Sequence, residues 1–87
     1  MNFRDVYVRK NERFSIGVEE ESGKFYVSFP VRNQFVDYEE YYEIERAQFD
    51  LFQTDLEAAM EFVNAAKERR LDDRLIQEPG RLRGWAT

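Results

Sequence analysis

The chain holds no cysteine and no histidine in 87 residues. The first absence excludes a disulfide framework and thiolate chemistry. The second removes the commonest general base and the commonest transition-metal ligand. No apolar run approaches the roughly 20 residues of a membrane-spanning helix. The opening stretch MNFRDVYVRK mixes charge among its apolar positions, unlike a signal peptide. There is no internal repeat and no low-complexity segment. What remains for chemistry is carboxylates, Lys, Arg, Tyr and three serines (Ser15, Ser22, Ser28) with no base apparent beside them. These gaps point to a protein without catalytic activity and without a cofactor. A small domain free of cysteine fits a reducing cytoplasm best.

What is present is aromatic and acidic. Aromatic residues make up 16% of the chain, with eight Phe and five Tyr, and 36% of it is charged. Each buried aromatic removes about 150–250 Å² from water, which lets a short chain collapse around few side chains. Net charge is −5, unevenly spread. Residues 1–18 carry four basic and two acidic groups, residues 19–61 three basic and twelve acidic, and residues 62–87 six basic and four acidic. An acidic middle opposes general nucleic-acid binding, which needs a concentrated positive surface. It suits a basic protein partner, or serves as solvated faces that keep the domain soluble.

The segment that most constrains the fold is TDLEAAMEFVNAAKERR, residues 54–70. Leu56, Ala59, Met60, Val63 and Ala66 recur at helical spacing, and Thr54 with Glu57 has the form of a capping box. This predicts one long amphipathic helix. Ahead of it the chain alternates with period two. A first strand is expected over residues 3–9, with a turn at Asn11 and Glu12. Phe14, Ile16 and Val18 then share one face, and Ser15, Gly17 and Glu19 the other. Gly23 closes a hairpin into Lys24–Val31, whose Phe25, Val27, Phe29 and Val31 share a face. Residues 32–40 are ambiguous, 41–45 predict a fourth strand, and 47–52 lean towards a short helix. Arg74–Glu78 fits a short edge strand. The architecture is therefore α+β, an antiparallel meander of three to five strands with one long helix (about 54–70) packed on one face. Residues 1–78 form a single compact domain, and 79–87 a tail that is partly docked or disordered.

Candidate sites follow from which face the helix leaves open. Tyr7, Ser15, Gly17, Tyr26 and Ser28 fall on that side, the composition of a recognition patch or of an ordinary solvated sheet face. Gly17 should leave a dent beside an opposite tyrosine. A second cluster, Phe35, Val36, Tyr38, Tyr41 and Tyr42, is a docking rim or a satellite core under a loop. Trp85, alone of its kind, sits in a glycine-flanked tail. The run Asp37, Glu39, Glu40, Glu43, Glu45 lacks the spacing of an EF-hand loop and implies no metal site. Lys24–Phe29 echoes the aromatic strand of RNA-recognition modules, but its glycine is missing and its surroundings are acidic. Three functions stay open: a small acidic protein-binding module, for instance an inhibitor or immunity-type protein; a structural homodimer; and a small-molecule binder with Tyr38 or Tyr42 at the mouth of a helix–sheet cleft. The partner is a protein or a second copy, with no nucleic acid and no membrane.

Overall fold

Alternation builds the central hairpin. In the computed structural model, which describes residues 1–79 and 83–86, β2 (Phe14–Glu19) and β3 (Lys24–Arg32) pair antiparallel, with Ile16 opposite Val27 and Gly17 opposite Tyr26. β1 (Phe3–Arg9) flanks β2, and β4 (Asp37–Ile44) flanks β3 with Val27 opposite Tyr42. The order β1-β2-β3-β4 is a meander. A two-residue β5 (Trp85–Ala86) adds to β3 at Arg32 and Val31, beyond the point where β2 begins. The fold is an α+β arrangement of an antiparallel sheet and two short helices, α1 (Arg46–Phe52) and α2 (Leu56–Lys67).

One long helix over 54–70 is not what forms. Asp55, not Thr54, caps α2, accepting the Ala58 amide at 3.1 Å, while Thr54 turns back to donate to the Leu51 carbonyl. At the other end Arg69 takes a left-handed φ of 61°, and the Arg69 and Arg70 amides bond back to Ala66 and Ala65. This is a Schellman ending built without glycine. Of the apolar stripe, Ala59, Val63 and Ala66 are buried, whereas Leu56 in the first turn is exposed. The 47–52 segment is indeed helical, with the Glu45 amide held by the Gln48 side chain at 2.8 Å. Residues 74–78 form no strand. A 3-10 turn (Asp72–Arg74) is followed by a lone bridge from Leu75 to Tyr42.

The core lies between the helices and one sheet face. Phe14, Ile16, Val27, Phe29, Val31, Tyr42 and Ile44 meet Phe52, Ala59, Val63 and Ala66 there. Phe29 and Tyr42 stack at 5.4 Å, Phe25 meets Phe49 at 4.5 Å, and Phe52 meets Phe62 at 5.6 Å. The small side chains of α2 let it approach a sheet whose bulk is aromatic. Among the described residues no helix is long and apolar enough to cross a membrane.

Candidate recognition face

The side of the sheet that the helices leave uncovered is not an ordinary solvated face. Tyr26 lies on it and is fully buried. Its ring crosses Gly17, the residue opposite on β2. A Cβ at Gly17 would strike the Arg4 carbonyl and stand 2.5 Å from the Tyr26 hydroxyl, so only glycine leaves the space. The hydroxyl reaches past Gly17 to Asp5 on β1 at 2.5 Å. Burial, and then Asp5, push the Tyr26 phenol well above its ordinary range. Phe3 and Tyr41, from opposite edges of the sheet, stack 3.7 Å apart and each meets Tyr26 edge-on, at 5.4 and 5.0 Å. The face therefore curls into an aromatic lid over Tyr26.

Acidic groups border this lid. Asp5 and Glu39 form no ion pair among the described residues, whereas Glu43 has Lys24 at 3.9 Å and Asp37 has Arg32 at 3.2 Å. Burial raises the Glu39 carboxyl above the usual range, the charge of Asp5 adds to the rise, and the Ser28 hydroxyl opposes it. Ser28 is 1% exposed, and its hydroxyl has no partner that meets hydrogen-bond geometry. Along the β4 edge lies a recess of about 140 Å³, lined by Tyr38, Glu39, Glu40 and Tyr41 on one side and by Gln77, Glu78 and Pro79 on the other.

Two expected members of the face lie elsewhere. Tyr7 is on the helix side, because the register shifts between Asp5 and Tyr7 and brings Tyr7 opposite Ile16. The β-bulge inserts one extra residue, Val6, and flips every side chain beyond it relative to strict alternation. Tyr42 is no cleft mouth. It is completely buried, and its hydroxyl donates to Glu40 at 2.9 Å. Tyr38 also points to the helix side, where its hydroxyl accepts the Gly84 amide at 2.9 Å. Of the acidic run, strand alternation sends Glu40 inward and Asp37, Glu39 and Glu43 outward, and among the described residues no three acids come together to hold a metal.

A residue that sequence reasoning passed over organises the inner side of β4. Arg83 forks onto Glu40 (2.8 and 3.0 Å) and onto Asp72 (2.7 and 2.9 Å), and its Nη2 also donates to the Tyr42 hydroxyl at 3.3 Å. Asp72 is held below the ordinary carboxylate range by that guanidinium. This cluster seats the tail. Arg69 adds a bond to the Gly84 carbonyl at 2.8 Å and lays its guanidinium 3.8 Å from the Trp85 ring, which is still 68% exposed. Of the expected tail 79–87, residues 80–82 and 87 lie outside the described residues. Next to Trp85, the Asn33 side chain accepts the Phe35 and Val36 amides at 2.7 and 2.9 Å, and this turn projects both apolar side chains outward. A recess of about 530 Å³ lies between the turn and Trp85.

Neither a known protein family, a curated protein nor a solved structure matches the chain.

Proposed function

We propose that this protein is a small acidic binding module without catalytic activity, and that its uncovered sheet face docks a basic segment of a partner protein. The observation that carries the reading is the pair Asp5 and Glu39, two carboxylates that have no ion pair among the described residues, beside an ordered aromatic lid. Rigid aromatic surface gives contact area at little entropic cost, and uncompensated carboxylates favour a partner of opposite charge. An inhibitor or immunity-type protein that caps a basic target in the cytoplasm fits this description, by analogy of composition only. Glu39 and Glu43 point outward from β4 and hold no backbone in place, so reversing both to Lys leaves the fold intact. The test is affinity capture from the host lysate with nuclease present, wild type against this double reversal. A stoichiometric partner that is lost with the reversal and with rising salt supports the reading. A partner retained equally by both chains contradicts it.

A second reading rests on the other end of the sheet. Phe35, Val36 and Trp85 are large, apolar and 72%, 57% and 68% exposed, and Trp85 lines a recess together with Asn33 and Gln34 of the turn that carries the other two. Such a patch suits self-association through a second copy. Sedimentation of the wild type against a Phe35→Ser, Trp85→Ser variant decides it: a dimer that dissociates in the variant supports this reading, and a wild-type monomer at high concentration ends it.

A further inference from the structure

We infer that the seat of the tail is an exchange site: Arg83–Ala86 of one copy occupies it on a second copy, and the two chains close a reciprocal dimer. This rests on the self-association reading and names the segment that crosses between copies. What the seat accepts is written in its present occupant. Glu40 and Asp72 converge on one guanidinium, and Arg83 answers them with four charge-assisted bonds of 2.7, 2.8, 2.9 and 3.0 Å. The Tyr38 hydroxyl accepts the Gly84 amide and Arg69 donates to the Gly84 carbonyl. A Cβ at position 84 would strike the Arg32 carbonyl, so the seat takes glycine there. Arg69 covers the Trp85 ring, and Ala86 pairs with Val31 and packs on the core. The seat therefore reads a charge, a missing side chain, a ring and a small residue, in that order.

Two observations make the occupant transferable. The bonds of Arg83 and Gly84 reach 11 to 46 residues back along the chain, onto the body of the domain. A tail finds the same partners whichever copy it belongs to, so exchange conserves every bond, and the balance rests on what else two copies bury. The second observation is the surface beside the seat. Trp85 stays 68% exposed when seated, near a turn whose Phe35 and Val36 are 72% and 57% exposed. One chain leaves this apolar surface in water, and two chains joined at this end of the sheet cover it. An unrelated segment is a poor substitute. Without an Arg–Gly pair it leaves Glu40, 7% exposed, as a buried acid with no counter-charge. A second copy carries the matching segment by identity.

The test uses the full chain at high concentration, ¹³C-labelled and unlabelled copies being refolded together from urea. Isotope-filtered nuclear Overhauser spectra then select contacts between copies. The expected result is a contact from the Ala86 methyl of one copy to the Val31 methyls of the other, in a particle that sediments as a dimer. A monomer, or a dimer in which that contact arises only within a copy, overturns the exchange. Two variants add a second measurement. Gly84→Val bars the tail and leaves the seat. Arg69→Gly with Asp72→Asn weakens the seat and leaves the tail, and glycine suits the left-handed φ of 61° at position 69. Each alone should dimerise about tenfold more weakly, whereas their mixture, refolded together, recovers dimer through one intact seat. A mixture no better than either variant contradicts the exchange. Phe35→Ser separates this from the parent reading. A dimer that it dissociates, with the Ala86–Val31 contact confined to one copy, keeps the apolar patch and rejects the exchange. A contact between copies that survives Phe35→Ser keeps the exchange and rejects the patch as what holds the copies together.

Discussion

Glu39 and Glu40 are neighbours on one strand, yet their surroundings have nothing in common. Glu40 faces the helices and is 7% exposed, and its two oxygens are engaged by the Arg83 fork and the Tyr42 hydroxyl. Glu39 faces away, has no cationic partner among the described residues, and carries a carboxyl whose proton is held more tightly than usual. A β-strand sends successive side chains to opposite faces, so one residue step separates a satisfied internal acid from an uncompensated one. The contrast teaches that acidity by itself carries little meaning in this chain. What a carboxylate does is set by the donors that the fold brings to it. Here the tail supplies Arg83 to one acid, and none of the described residues brings a cation to the other.

The comparison breaks most directly at Arg83. In Arg83→Met, Glu40 becomes a buried acid with its principal counter-charge gone, as unpaired as Glu39 but without access to water. Urea denaturation should show a loss of about 3 kcal/mol, the scale for removing one partner of a buried ion pair. The Trp85 emission should change as well, because the same residue seats the tail. On the opposite face, Gly17→Ala forces a methyl against the Arg4 carbonyl and the Tyr26 ring. A loss of about 2 kcal/mol in the same assay is expected from overpacking, together with loss of the tight ring contacts seen by aromatic nuclear Overhauser effects.

A third acid sharpens the contrast in its pH dependence. Glu19 is buried at the β2–β3 turn, where its carboxylate accepts the amides of Asn2, Glu21 and Ser22 at 2.7, 3.0 and 2.8 Å. Ser22, then Asn2, hold its carboxyl down to about 2. An acid whose folded pKa is depressed contributes stability that is present above its unfolded pKa of about 4.3 and is lost as pH falls towards the folded value. Glu39 has the opposite sign: its raised folded pKa makes ionisation a small penalty that appears as pH rises through the carboxylate range. Glu19→Gln should therefore be less stable than wild type at pH 7 and converge with it by about pH 2. The measurement is urea midpoint against pH for the two chains.

Much of this framework was legible before any coordinates. Period-two alternation placed the β2–β3 hairpin, since Phe14, Ile16, Val27 and Phe29 have only one way to share a core. The stripe Ala59, Val63, Ala66 marked the second helix, and the dent at Gly17 was readable because an antiparallel pair must put some side chain opposite a missing one. The failures have physical causes. Tyr7 was placed on the wrong face because the bulge at Val6 leaves no mark in composition. Tyr42 stayed open between a docking rim and a satellite core because its burial depends on Leu75 and α2, elements far from it in sequence. The helix was drawn too long because Arg69 ends it in a conformation usually left to glycine. Arg83 went unnoticed because its partners lie 43 and 11 residues away and no local pattern announces them.

The central claim is that Glu40 belongs to the structure while Glu39 is left for a partner. Urea unfolding of Glu39→Gln and Glu40→Gln, side by side at pH 7, tests it with one measurement. The account predicts that Glu40→Gln loses about 2 kcal/mol, the scale of charge-assisted hydrogen bonds weakened in a buried cluster, and that Glu39→Gln is at least as stable as wild type. Equal losses in the two variants would contradict it, for Glu39 would then also be holding the fold together.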